Sequence, residues 1–143
     1  MNKVAIVYWS GTGNTEKMAF CIAEGAKEAG AETALLTPAE FSAARLSEFG
    51  AVAFGCPAMG AEQLEEDEFE PMFSGLESTL ASKKIALFGS YGWGDGQWMR
   101  DWCARAADAG ANLYDEAGLI VNDAPGADAQ EDCRELGRKL AAW

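Results

Sequence analysis

The chain of 143 residues contains no histidine. Histidine is the usual general base of Ser-His-Asp and Cys-His catalysis, and it is the commonest protein ligand of metals. Both of those catalytic arrangements and every histidine-ligated metal site are therefore excluded. If the protein takes part in chemistry, we expect a bound cofactor to carry that chemistry.

Basic residues are scarce: 11 lysines and arginines stand against 23 aspartates and glutamates, so the formal net charge is −12. A surface of this sign repels nucleic acid and anionic membranes, and it favours basic proteins as partners. An acidic protein that binds a phosphate group must therefore do so locally, with backbone and hydroxyl dipoles.

Long hydrophobic runs and clustered cysteines are also missing. No apolar run approaches the ~20 residues of a membrane span, and the N-terminal segment lacks the apolar length and cleavage site of a signal peptide. The four cysteines show no CxxC spacing, so we expect buried, reduced thiols in a cytoplasmic protein. The length suits a single domain that spans residues 1–143.

Short apolar runs alternate with helical patterns along the whole chain. We expect strands at 3–9, 32–36, 50–55, 84–89 and 119–121, and helices at about 14–29, 39–46, 68–80, 97–109 and 128–142. This order predicts an α/β fold with a parallel sheet covered by helices on both faces. Ligands of such folds bind at the carboxyl ends of the strands. Loops 10–15, 56–62 and 89–96 all follow strands, so we expect them to meet there.

The first of these loops reads Ser10-Gly11-Thr12-Gly13-Asn14-Thr15. Glycines let the backbone approach a ligand, hydroxyls donate hydrogen bonds, and the following helix offers unpaired N–H groups. The segment lacks the Gly-Lys-Ser/Thr of a P-loop and the third glycine of a dinucleotide fingerprint. It therefore predicts a site for a phosphate monoester, with a polar turn that binds nothing as the alternative.

The other two loops contribute an aromatic and a thioether side chain. Trp93 lies between Gly92 and Gly94, which predicts a partly exposed indole that can stack on a flat aromatic ligand. Met59 in the facing loop can cover the opposite side of the same ligand. The alternative is that both side chains pack on the protein core.

Acidic residues are densest directly after the second loop, at Glu62, Glu65, Glu66, Asp67, Glu68 and Glu70. Most of these side chains are expected to be solvated. Because they lie beside the expected ligand site, they form a plausible docking rim for a basic partner.

Three segments together carry a resemblance to a known family: SGTGNT, CPAMGAEQLEEDEFEP and LFGSYGWGDGQWMRDW, in this order and spacing. The chain resembles the short-chain flavodoxins over essentially its whole length. The resemblance implies a flavodoxin-like three-layer sandwich with a five-stranded sheet of order 2-1-3-4-5 and non-covalent FMN. It implies a monomeric one-electron carrier that shuttles between semiquinone and hydroquinone, not an enzyme, with reductases and electron acceptors as partners.

The resemblance also assigns roles to individual residues. The FMN phosphate would be held by the loop that contains Ser10, Gly11, Thr12, Gly13, Asn14 and Thr15. The isoalloxazine would lie between Trp93 and Met59, and its edge would meet the backbone of Ala58, Gly60, Gly92 and Gly94. Ser90 and Tyr91 would flank the ribityl chain and the ring, and Glu62 would accept a hydrogen bond from the flavin N3–H. The peptide after Gly60 would flip on reduction, so that its carbonyl accepts a hydrogen bond from N5.

Two positions depart from the family pattern, and the charge balance bears on the potential. Pro57 replaces a serine of some relatives and removes a possible phosphate contact, so Ser90 or the first loop must compensate. Ala61 follows Gly60, and because alanine tolerates positive φ poorly, an altered semiquinone stability is expected. No lysine or arginine lies in the three loops, which predicts an unfavourable hydroquinone anion and a low second potential.

Two other functions remain open on the sequence alone. An FMN-dependent quinone or azo reductase shares the fold, but such enzymes are longer and build a substrate site across a dimer. A receiver domain needs clustered aspartates after the first strand and one at the end of the third, where this chain has Trp9-Ser10 and Cys56.

Overall fold

One parallel sheet lies between two layers of helices in the computed structural model, which describes residues 2–60 and 62–143. The strands are β1 Lys3–Tyr8, β2 Glu32–Leu36, β3 Ala51–Gly55, β4 Lys84–Tyr91, β5 Asn112–Leu113 and β6 Leu119–Asn122. The helices are α1 Asn14–Glu28, α2 Ala43–Leu46, α3 Phe69–Leu76, α4 Gln97–Asp108 and α5 Ala127–Ala142, with short 3₁₀ turns at Pro38–Glu40 and Glu77–Thr79. Within the described part of the chain, no helix has the length and apolar content to cross a membrane.

The strand order confirms the predicted 2-1-3-4-5 arrangement, with one difference at the edge. The fifth strand is in two pieces: β5 pairs with the beginning of β4, and β6 pairs with its end. Between them the chain bends at Asp115 and Gly118, both with positive φ. A Cβ at Gly118 would lie 2.6 Å from the sulfur of Met99, so glycine allows this bend to pack against α4.

Alternating side chains of the buried strands divide the core into two halves. In β1, Ala5 and Val7 face a layer rich in aromatic rings that includes α3 and α4, whereas Val4 and Ile6 face α1 and α5. The second layer contains a close helix crossing. A Cβ at Gly25 would lie 1.9 Å from the Arg134 carbonyl oxygen, so only glycine allows this approach of α1 and α5.

Several predicted element bounds were wrong. The helix expected at 39–46 is the 3₁₀ turn Pro38–Glu40 followed by the single turn α2, because Phe41 and Ser42 between them are extended. The helix expected at 68–80 ends as an α-helix at Leu76 and continues as a 3₁₀ turn. Tyr91, expected in an irregular loop, belongs to β4 because β6 extends the pairing to that residue.

Candidate functional site

The three predicted loops meet at the carboxyl edge of the sheet and enclose a groove of about 270 Å³. Nine of the sixteen predicted site residues line it: Gly11, Thr12, Asn14, Pro57, Ala58, Met59, Ser90, Tyr91 and Gly92. The convergence follows from the parallel topology, since β1, β3 and β4 are neighbours and their carboxyl ends lie side by side.

The first loop wraps around the hydroxyl of Ser10. Its Oγ accepts hydrogen bonds from the N–H groups of Gly13, at 3.1 Å, and Glu16, at 3.2 Å. Gly13 is the N-cap of α1, with a left-handed φ of 97°. Ser10 and Gly13 therefore shape the loop, while Thr12 and Asn14 line the groove.

A buried hydroxyl pair ties the first loop to β4. Thr15 Oγ1 lies 3.3 Å from Ser90 Oγ and accepts a hydrogen bond from the Ser90 N–H at the same distance. The carbonyl of Ser90 in turn accepts from the N–H of Ala58, at 3.1 Å. Thr15 itself does not line the groove. The contacts of Thr15 fix the first loop against Ser90, and the hydrogen bond from Ala58 to Ser90 fixes the second loop to the same residue.

The second loop carries a tight turn at its tip. The Glu62 N–H donates to the Met59 carbonyl at 2.7 Å, and the Met59 N–H donates to Gln63 at 2.9 Å in an antiparallel bridge. Gly60 is the first central residue of this turn, where a Cβ would meet no atom within 4 Å. Its φ also lies outside the left-handed region, so this conformation of the turn does not by itself require glycine. The expectation about Ala61 falls outside the described residues.

Glu62 is held against the third loop. One of its carboxylate oxygens, Oε1, is buried and has no hydrogen-bond partner among the described residues. A Cβ at Gly94, which has a φ of 86°, would lie 2.1 Å from that oxygen. Gly94 thus leaves the space that the carboxylate occupies, and the free oxygen can accept a hydrogen bond from an N–H donor.

The predicted stacking residues differ in exposure. Trp93 is 65% exposed, as its position between two glycines predicted, whereas Met59 is half-buried in the groove wall. The remaining predicted residues do not line the groove: Gly60, Glu62, Trp93 and Gly94. By contrast, the nearby Trp98 and Trp102 of α4 are buried in the core.

Two groove residues escaped the sequence analysis. Trp9 follows the end of β1, and its ring packs beneath Gly11, where a Cβ would lie 3.1 Å away. It was assigned to the strand because it continues an apolar run. Asp123 follows β6 and donates its N–H to the Tyr91 carbonyl at 2.8 Å. Asp123 could have been predicted by the rule that selected the other loops, because it is a polar residue directly after the last parallel strand.

The acidic run from Glu62 to Glu70 is not a uniform rim. Glu65 is only 5% exposed, and Glu70 forms an ion pair with Arg105 at 2.6 Å. This pairing lowers the pKa of Glu70. The exposed acids are Glu66, Asp67 and Glu68. The expected rim is therefore corrected to these three residues.

A larger groove of about 640 Å³ lies between α4 and β5. Alanines and Cys103 make up much of its wall, and burial raises the pKa of the Cys103 thiol to about 11. It lies beside the beginning of the edge strand, where none of its lining residues belongs to the three loops, and it has no segment that resembles a phosphate site. Volume alone therefore does not identify the functional site.

Comparison with known proteins gives a consistent result. The family model described as Flavodoxin matches residues 6–137. The flavodoxin of Clostridium beijerinckii is 47% identical over 136 residues, which cover 95% of this chain and 97% of that protein. The flavodoxin of Megasphaera elsdenii is 45% identical over 138 residues, which cover 96% and 98%. The solution structure of the two-electron reduced Megasphaera elsdenii flavodoxin superimposes with a TM-score of 0.87 and 43% identity, over 98% of this chain and 99% of that chain.

Proposed function

The chain belongs to the flavodoxin family, and from this premise we propose that it passes electrons between redox proteins that dock on the acidic surface beside its groove. The chain is an FMN-binding electron carrier, and the reductase alternative is not favoured. The observation that supports the site is the convergence of the three loops on one groove at the carboxyl edge of the sheet.

The residues present fit FMN at both ends of the molecule. The first N–H groups of α1 have no partner within the helix, and together with Thr12 and Asn14 they can hold a phosphate without a basic side chain. The free Oε1 of Glu62 suits the N3–H of the flavin. FMN supplies the redox chemistry when bound. The protein orients the ring and sets the charge around it.

Shielding of the ring is assigned to Trp93 and Met59. An indole that is 65% exposed has apolar surface available for a stacked ring, and a thioether packs well against aromatic faces. The Gly60 turn would provide the backbone contact at the edge of the ring. The two ends of this turn are fixed, because the Met59 N–H donates to the Gln63 carbonyl and the Glu62 N–H donates to the Met59 carbonyl.

Basic partners would dock on the surface formed by Glu66, Asp67 and Glu68. These three carboxylates are exposed and form no ion pair within the described part of the chain. They lie directly after the loop that carries Met59 and Glu62, so a partner seated there would be close to the flavin. We propose that the protein acts as a single-domain monomer in the cytoplasm, which its four free, buried cysteines support.

The docking proposal is tested with a basic haem protein such as cytochrome c as the electron acceptor. The FMN-loaded protein is reduced anaerobically, and the rate of haem reduction is followed at increasing salt. We expect the rate to fall with ionic strength, because opposite charges steer the encounter.

A triple variant provides the matched comparison. Glu66→Gln, Asp67→Asn and Glu68→Gln together should slow the reaction markedly at low salt. A control triple, Glu116→Gln with Asp128→Asn and Asp132→Asn, removes the same charge at other exposed positions. Equal slowing by both triples would mean that net charge, not this surface, guides the partner. Rapid NADPH oxidation with a quinone by the protein alone would favour a reductase instead.

A further inference from the structure

The segment from Cys56 to Glu65, called here the turn-bearing loop, is closed on itself at its base. Its first residue is fixed by the core, since the Cys56 N–H donates to Phe88 and the Cys56 carbonyl accepts from the indole N–H of Trp98, each at 3.1 Å. Its last residue is fixed to the first, because the Glu65 N–H donates to the Cys56 sulfur at 3.3 Å. Burial raises the pKa of the Cys56 thiol to about 12, so this sulfur is a neutral acceptor.

Glu65 is a buried carboxylate that is satisfied by backbone groups alone. Its two oxygens accept hydrogen bonds from the N–H groups of Asp67, Glu68 and Phe69, each at 2.8 Å. Phe69 is the first residue of α3 and Glu68 is its N-cap, so the carboxylate satisfies N–H groups at and just before the beginning of the helix. Burial by itself would raise the pKa of Glu65, but the three backbone hydrogen bonds outweigh that effect and hold the pKa below its usual value. The side chain therefore remains charged at neutral pH.

These contacts connect α3 to the turn that faces the groove. Glu65 follows Gln63 by two residues, and the Gln63 carbonyl accepts the hydrogen bond that closes the Met59 bridge. If the carboxylate is lost, the start of α3 loses three hydrogen bonds, and Glu65, whose own N–H closes the turn-bearing loop onto Cys56, is no longer fixed relative to the helix. We propose that Glu65 is a positioning residue, which sets the geometry of the Met59–Glu62 turn and through it the contacts of the turn with FMN. The part that concerns FMN rests on the proposed function.

A purely structural cap would stabilise α3 and leave the turn unaffected, so the test must separate the two. The variants are Glu65→Ala and Glu65→Gln, and Glu116→Gln, at an exposed position outside the docking surface, is the charge-matched control. Glutamine keeps one carbonyl oxygen, but its amide cannot accept the hydrogen bond that the second carboxylate oxygen accepts. It is the milder variant if Glu65→Ala does not fold.

The first measurement is amide hydrogen exchange on the FMN-free protein. We expect the N–H groups of Met59 and Glu62 to exchange about tenfold faster or more in the Glu65 variants, with the amides of α5 unchanged. Glu116→Gln should leave all of these rates as they are. Faster exchange confined to Asp67, Glu68 and Phe69 would identify Glu65 as a helix cap only and would overturn the proposal.

The second measurement uses the FMN-loaded protein. The Glu65 variants should bind FMN at least several-fold more weakly and should change the separation between the two one-electron midpoint potentials, whereas Glu116→Gln should change that separation little. Unchanged affinity and potentials despite faster exchange would overturn the positioning role. If the unaltered protein binds no FMN, the proposed function fails, and the exchange measurement still decides whether Glu65 fixes the turn.

Discussion

Replacing Gly94 by alanine would displace the Glu62 carboxylate, which is proposed to contact the flavin, with little disturbance elsewhere. The added Cβ would lie 2.1 Å from Glu62 Oε1 and 2.8 Å from its carboxyl carbon. Because these atoms are the end of a flexible side chain, the carboxylate can rotate away and the fold is kept. The positive φ of 86° adds backbone strain of about 1–2 kcal/mol.

The expected result is a loss of FMN affinity that exceeds the loss of stability. A hydrogen bond to a charged acceptor contributes about 1.5–3 kcal/mol, so losing the contact between Glu62 and the flavin should raise Kd by roughly 10- to 150-fold. Affinity is measured by quenching of FMN fluorescence, and stability by urea unfolding of the FMN-free protein. Gly30→Ala is the matched control, since Gly30 has a φ of 91° and no atom within 4 Å of its added Cβ.

A comparison of Gly94→Ala with and without the Glu62 carboxylate shows whether the loss of FMN affinity arises through that side chain. In a Glu62→Ala background, Gly94→Ala should have almost no further effect on Kd, because the displaced group is already absent. The reasoning is refuted if Gly94→Ala binds FMN as tightly as Gly30→Ala does. It is also refuted if the effect of Gly94→Ala persists undiminished without the Glu62 carboxylate.

Three further variants test the packing, the acid response and the stacking. Gly25→Ala should destabilise the protein by about 3 kcal/mol in urea unfolding, because its Cβ would lie 1.9 Å from a backbone carbonyl of α5, whereas Gly75→Ala has open space and should be neutral or stabilising. The lowered pKa of Glu65 means that its stabilisation is complete above the unfolded-state pKa of about 4.3 and is lost as pH falls through the folded-state pKa. Glu65→Gln should therefore flatten the acid side of a curve of stability against pH. Trp93→Ala should raise the Kd for FMN about tenfold, measured by fluorescence titration, and an unchanged Kd would contradict the stacking role.

The sheet and its order could be predicted because buried strands and amphipathic helices alternate along the chain. The divided fifth strand at the edge of the sheet was predicted less accurately. β5 is only two residues long, too short to show a hydrophobic period, and its pairing with β4 depends on the bend at Asp115 and Gly118. The prediction of one helix at 39–46 failed because the hydrophobic pattern does not reveal the extended residues that interrupt it.

The residue types of the three loops predicted where the groove lies, but they could not predict which way each side chain points. Ser10 and Thr15 read as phosphate-binding hydroxyls, yet the structure engages Ser10 within its own loop and Thr15 with Ser90. Glu65 read as one member of a solvated acidic run, and its burial depends on where α3 begins. Which residues contact FMN stays a prediction.

The central claim is that FMN occupies the groove between the three loops, and backbone amide chemical shifts during an FMN titration test it most directly. Equimolar binding should shift the amides of Thr12, Asn14, Ala58, Gly92 and Asp123 most strongly. The amides around the larger groove between α4 and β5 should hardly move. Saturable shifts at that larger groove with none at the three loops, or no shifts at all, would contradict the account.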